Sequence, residues 1–262
     1  MIVALMLTKQ CNFHCKHCMI DSEHDFSFMD KTVLHKSIEI IKNECPDSVY
    51  LIGGEVLLHI EEIEFIVNEI EKFCHEIVIF SNGTFLLDET LCKRIDALNV
   101  VIRISDDIYH RKQWTKKLQM LIESSGYLIV QKPEGEDMIP VGRAYEDWKW
   151  VKYNLGCSML TGVYDERYVN HHRYMIMMNG DVNLYCATIE GSLANVYEDI
   201  TITYDLLVKR EKILHNYIMK NVITCMEDTY VAKLCNECQR YAITDKYILY
   251  DGKIIADAKK YI

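Results

Sequence analysis

Short β-branched runs alternate with amphipathic stretches through the first half of the chain. Ile2 to Leu7, Ser48 to Ile52, Glu76 to Phe80, Val100 to Ser105 and Tyr127 to Val130 read as strands. Between them, Leu34, Ile38 and Ile41 recur at helical spacing, as do Ile63, Ile66, Ile70 and Phe73, with glutamates and lysines on the other face. This alternation predicts parallel βα units, the helices covering the outside of an α/β sheet. Each predicted strand ends in a polar or glycine-bearing loop. Ligands of parallel sheets collect at that carboxyl edge, so the chemistry is expected in those loops.

After Gly142 the pattern changes to mixed short strands, a long helical stretch from about Tyr204 to Asn221 and a cysteine-bearing tail. Tyr247 to Ile255 reads as a hairpin, because Asp251-Gly252 suits the positive backbone angles of a type I′ turn. A boundary is expected near residues 145 to 155, giving units 1–148 and 149–262.

The 262 residues, 50% of them hydrophobic, can bury a large core. A formal charge of -10 leaves no clustered cationic surface for phosphates, so nucleic acid is not an expected partner. The opening run MIVALMLTKQC is too short to span a membrane and lacks a basic leading region, so neither membrane insertion nor export is expected and a cytoplasmic location is. Eleven cysteines in a reducing compartment are free thiols or metal ligands, not a disulfide framework. Cys45, Cys74 and Cys92 sit at or near the ends of helical patterns without a partner at ligand spacing, and read as buried small hydrophobes.

Cys11, Cys15 and Cys18 form a C-x3-C-x2-C pattern in the loop after the first strand. Three thiolates from one loop can ligate three irons of a cubane cluster and leave the fourth open. A zinc loop is the alternative, with His14 or His17 as a fourth ligand. The triad resembles the signature of the radical S-adenosylmethionine (SAM) superfamily, and further matches follow in order over about the first 145 residues. That resemblance implies a 4Fe-4S cluster whose open iron binds the amino and carboxyl groups of the cofactor's methionine part, and reductive cleavage of the cofactor to a 5′-deoxyadenosyl radical. It implies a partial TIM-like (β/α) barrel of five or six parallel strands. His17 takes the place where the family has an aromatic residue near the adenine.

Gly53-Gly54-Glu55 resembles the family's Gly-Gly-Glu motif, with Val56 where proline is common. Glycines allow close backbone approach, and Glu55 can accept from the methionine ammonium. Ser81-Asn82-Gly83-Thr84 resembles the Thr-Asn-Gly-Thr loop beside the cofactor. Arg103, Ser105 and Asp107 belong to a strand end that looks like the family's Ser-x-Asp element, near ribose or substrate. Val141 to Ala144 resembles the Gly-Arg-Ala element, whose Arg143 would reach the methionine carboxylate or the strand-edge network. From Ser105 to Gly142 there is room for one helix and one strand, so five strands and a wide opening are expected, closest to short-barrel members such as the aminocyclitol dehydrogenase branch.

Cys157, Cys186, Cys235 and Cys238 could ligate a second, fully coordinated 4Fe-4S cluster, or zinc. Met178 to Cys186, followed by Ala194 to Asp199, resembles the SPASM auxiliary-cluster extension or its half-sized twitch form. One auxiliary cluster fits better than two. Cys225 is left over, as an inert thiol, an alternative ligand or a hydrogen-atom donor. The adjacent pair His171-His172 is assigned no role.

The expected activity is hydrogen abstraction from a C–H bond of a small polar metabolite or a ribosomal peptide, leading to oxidation or bond formation. An external donor such as flavodoxin or ferredoxin would supply the electron. With no leader-binding region ahead of the first strand, the small molecule fits about as well as the peptide. Epimerisation through Cys225 is one alternative, and a non-catalytic zinc or iron-sulfur module is another.

Overall fold

The computed structural model describes residues 1–24, 27–131, 143, 173–184, 192–197, 201–221 and 240–262. Five parallel strands follow the predicted runs: β1 (Ile2–Thr8), β2 (Ser48–Gly53), β3 (Glu76–Ser81), β4 (Val101–Asp106) and β5 (Leu128–Gln131), each paired with the one before. A sixth parallel strand, β6 (Arg173–Ile176), pairs with β1. β7 (Asp181–Leu184) and β8 (Ala194–Asn195) continue antiparallel, so the sheet order is β5-β4-β3-β2-β1-β6-β7-β8. The sixth parallel strand therefore joins beside β1, not beyond β5.

The strands' period of two sorts their residues onto two faces. Val3, Leu5 and Leu7 of β1, Val49 and Leu51 of β2, Ile79 of β3 and Ile104 of β4 are buried in one large core. Helices α1 (Lys31–Glu44) and α2 (Ile60–Ile70) contribute Leu34, Ile38, Ile41, Ile63, Ile66 and Ile70 to it. Each such fully buried aliphatic side chain contributes about 1.5–3 kcal/mol. On the other face Ala4 and Met6 cluster with Met175 and Met177, against which Tyr50 and Ile52 pack.

Four of the described helices start at a side-chain cap. Asp30 accepts the Thr32 N–H at the start of α1, and Cys45 ends it in the left-handed conformation. Asp88 caps α3 (Glu89–Asp96), Asp107 caps the short α4 (Ile108–Arg111), and Thr115 caps α5 (Lys116–Ser124). The span between β4 and β5 thus holds two helices where one was expected. The predicted late helix is α6 (Tyr204–Asn221). The predicted hairpin is β10 (Tyr247–Tyr250) and β11 (Lys253–Asp257), with Asp251 and Gly252 both at positive φ; β9 (Tyr241–Ile243) completes that small sheet. The expected boundary near 145 to 155 falls outside the described residues.

One expectation is corrected. Cys45 is exposed, and Cys74 and Cys92 are only half-buried. Cys45 is the residue that ends α1, Cys74 lies beyond α2, and Cys92 lies within α3, and none sits deep in the core.

Candidate active site

The loop after β1 is closed at its base. Gln10 bridges to Glu23, the Cys11 N–H donates to the Glu23 carbonyl at 2.7 Å, and the Glu23 N–H donates to that of Lys9 at 3.0 Å. Within this excursion lie Cys11 and Cys15, both buried, and Cys18, half-buried. The Phe13 N–H points at the Cys11 sulfur at 3.4 Å, and the Ser22 N–H points at that of Cys18 at 3.3 Å.

The loop after β2 holds this excursion in place. Gly54 and Glu55 donate their N–H groups to the Thr8 and Gln10 carbonyls at 2.8 and 2.7 Å. A Cβ at Gly54 would lie 2.0 Å from the Gln10 oxygen, and one at Gly53 would lie 2.4 Å from the Thr8 oxygen. The two glycines are therefore demanded by backbone meeting backbone at the cysteine loop.

Glu55 is 1% exposed. It accepts from the Ser81 hydroxyl at 2.9 Å, the Asn82 N–H at 2.7 Å and the Leu57 N–H at 3.3 Å. Burial pushes its carboxyl up to about 7 against the pull of those three bonds. Among the described residues no cation pairs with it, so an incoming ammonium would complete its surroundings. Asn82 extends the network by donating to the Asn12 side chain at 2.8 Å and to the Cys11 sulfur at 3.8 Å, while Asn12 donates to the Thr84 hydroxyl at 2.9 Å.

The end of β4 supplies a third support. Asp107 accepts from the N–H groups of Tyr109 and His110 through one oxygen, and its other oxygen lies 2.6 Å from His110 Nδ1 and 3.2 Å from His17 Nε2. Burial alone would raise this carboxyl, but the hydrogen bonds from His110 and His17 hold it well below the usual range. His17 stacks on Tyr109 with ring centroids 4.6 Å apart. Ser105 is buried one pleat below Asp107.

Arg143 is spent on the cysteine loop. Its N–H donates to the Cys18 carbonyl at 3.0 Å, Nε to that of Cys15 at 3.1 Å, and Nη1 to that of Ser22 at 2.6 Å. Arg103 lies elsewhere, its guanidinium over the rings of Tyr50 and Phe80 and 3.8 Å from Glu76. Cys157, Cys186, Cys225, Cys235, Cys238 and the His171-His172 pair lie outside the described residues. Reading the sequence missed Asn12, Ser22 and His110; the signal for His110 was its place three residues after a helix-capping aspartate.

The donor set fits an iron-sulfur cluster better than zinc. Thiolates sharing one zinc lie ~3.8 Å apart, given Zn–S bonds of ~2.3 Å. Among the described residues the group of ligand atoms mutually within 4.8 Å is His17, Asp107 and His110, so the three sulfurs are spread wider. His14 is exposed, and His17 is committed to Asp107. Burial, then the neighbouring Cys11, Asp107 and Cys18 charges, push the Cys15 thiol up to about 12, so thiolate forms there together with a bound cation.

Residues 5–124, from β1 to the end of α5, match the model of the radical SAM superfamily. That stretch is similar to a radical SAM domain. A Bacillus subtilis (strain 168) protein named "Putative peptide biosynthesis protein YydG" is 28% identical over 115 residues, which cover 41% of this chain and 36% of that protein. The chain thus spans about a third of this curated relative's length. Two solved structures share the fold. One is anSMEcpe with bound AdoMet and a Cp18Cys peptide (16% identity, 79% of each chain, TM-score 0.50). The other is BtrN in an open conformation (14% identity, 87% of this chain and 92% of that one, TM-score 0.50). The mostly parallel sheet matches the partial TIM-like barrel of these neighbours. Among the described residues no helix is long and apolar enough to cross a membrane.

Proposed function

We propose that this chain is a radical SAM enzyme that abstracts a hydrogen atom from a C–H bond of its substrate. The observation that carries the reading is the convergence at one sheet edge of three cysteines, whose sulfurs do not all lie within 4.8 Å of one another, with a buried carboxyl that has no cation beside it among the described residues. Cys11, Cys15 and Cys18 would hold a 4Fe-4S cluster. When bound, the cluster and SAM supply the reductive cleavage that yields the 5′-deoxyadenosyl radical.

The chain's own residues hold and orient. Glu55, drawn to the carboxylate form by an ammonium, takes the methionine amino group, with Ser81 and Asn82 fixing its two oxygens. His17, held by Asp107 and stacked on Tyr109, forms a rigid wall beside the third cysteine. Arg143 keeps the cysteine loop closed, and Ser105 and Asp107 place polar groups along the inner face of β4.

A peptide is the favoured substrate class, supported by the name of the Bacillus relative and by the peptide bound in anSMEcpe; a small polar metabolite is the other. Cys157, Cys186, Cys235 and Cys238 are proposed to hold one auxiliary 4Fe-4S cluster in a twitch-like unit spanning 149–262, with oxidation or bond formation as the outcome and flavodoxin or ferredoxin as electron donor.

Anaerobic reconstitution tests the reading. The expected result is about eight irons per chain, from two cubanes, and 5′-deoxyadenosine on addition of SAM and a reductant. Zinc as the sole metal, with no cofactor cleavage, would establish the non-catalytic module instead.

A further inference from the structure

We propose that the Ser22 hydroxyl, fixed by Arg143, donates a hydrogen bond to the Cys18 sulfur and so sets how readily the cluster on Cys11, Cys15 and Cys18 accepts an electron. This rests on the cluster reading above. The direction of that bond follows from the donor inventory. A guanidinium carries only donors, so Arg143 Nη2, 3.2 Å from Ser22 Oγ, obliges the serine to accept there. The single hydroxyl proton is then left for the other neighbour in reach, the Cys18 sulfur at 3.1 Å. Ser22 is 3% exposed, so bulk water does not compete for it.

With its own N–H at 3.3 Å, Ser22 places two donors on one sulfur. Cys11 also has two donors, both longer, the Phe13 N–H at 3.4 Å and the Asn82 amide at 3.8 Å. Cys15 receives no donor among the described residues; its thiol faces the Tyr109 carbonyl at 3.9 Å. Donors to a cluster thiolate stabilise the extra negative charge of the reduced state, and raise the potential at which the electron enters. Arg143 acts through Ser22 and through the Cys15 and Ser22 carbonyls that it ties down, which makes it a positioning residue.

The test is a redox titration of the reconstituted holoprotein, following the electron spin resonance signal that changes on adding SAM, with iron counted in parallel. Ser22→Ala should hold as much iron as the wild type at a more negative midpoint, Ser22→Thr should return the wild-type midpoint, and Arg143→Gln should shift it in the same direction as Ser22→Ala. A wild-type midpoint in Ser22→Ala overturns the proposal, as does an equal shift in Ser22→Thr, which would trace the effect to packing. Should Ser22→Ala lose iron, Arg143→Lys takes its place: the charge is kept and the fork that orients Ser22 is lost, so an unshifted midpoint there overturns it. A wild-type chain that takes up no iron defeats the cluster reading itself.

Discussion

The described cysteines treat hydrogen bonds in two opposite ways, and the loop after β1 holds both, since Cys15 rests on the Tyr109 carbonyl at 3.9 Å. Cys11 and Cys18, on the loop after β1, accept: N–H groups of Phe13 and Ser22 point at their sulfurs at 3.4 and 3.3 Å. Cys45 just past α1, Cys74 beyond α2 and Cys92 within α3 donate to the carbonyls of Lys42, Ile70 and Phe85 at 3.3, 3.5 and 3.5 Å. Donors gathered around a sulfur prepare it to carry negative charge, whereas a thiol resting on a carbonyl is neutral packing. Among the described cysteines, accepting sulfurs thus occur on the cysteine loop alone, at Cys11 and Cys18 and not at Cys15.

The strongest way to break this contrast is replacement of each set. Cys11→Ala, Cys15→Ala and Cys18→Ala together should abolish 5′-deoxyadenosine formation, measured by liquid chromatography and mass spectrometry. The triple alanine variant at Cys45, Cys74 and Cys92 should retain it. Cofactor cleavage surviving the first set, or lost with the second, reverses the assignment.

A less drastic intervention leaves every sulfur in place. Gly54→Ala puts a methyl group against the Gln10 carbonyl, which is backbone and cannot swing aside. Displacement of the cysteine loop is expected to cost about 3 kcal/mol and to lower the iron retained after gel filtration. Wild-type iron content and unfolding midpoint together would show that the loop does not depend on this contact.

Glu55 sharpens the comparison through pH, because it anchors the Asn82 that donates to Cys11. Its folded value, about 7, lies above its ordinary value of 4.5. The protonated carboxyl's contribution is therefore complete below about 4.5 and is lost as pH rises through 7. Unfolding of the cofactor-free protein by urea should show stability falling over that window by at most about 3 kcal/mol. Glu55→Gln should flatten the slope. An unaltered slope in the variant would remove Glu55 as its source.

The smallest effects belong to the second set. Cys74→Ala should cost about 1 kcal/mol or less, since a half-buried thiol leaves little cavity. Iodoacetamide should label exposed Cys45 well ahead of Cys74, whose thiol is pushed up to about 11 by burial. Equal labelling would mean that the two environments are alike.

The sequence by itself determined the parallel βα series, because period-two and helical periodicities are local and set which face is apolar. Each of the first five strands starts and ends within a residue or so of its predicted bounds. It also singled out the cysteine loop and the glycines, glutamate and asparagine that adjoin it, since these lie at successive strand ends. Tertiary structure alone decided three things. It placed β6 beside β1, a pairing of residues about 170 positions apart whose register no local pattern encodes. It turned the two glycines into a backbone contact with the cysteine loop, and gave Arg143 and Ser22 their places at that loop. Such roles depend on donors and acceptors meeting across loops distant in sequence, where burial makes each unpaired group costly and so fixes its partner.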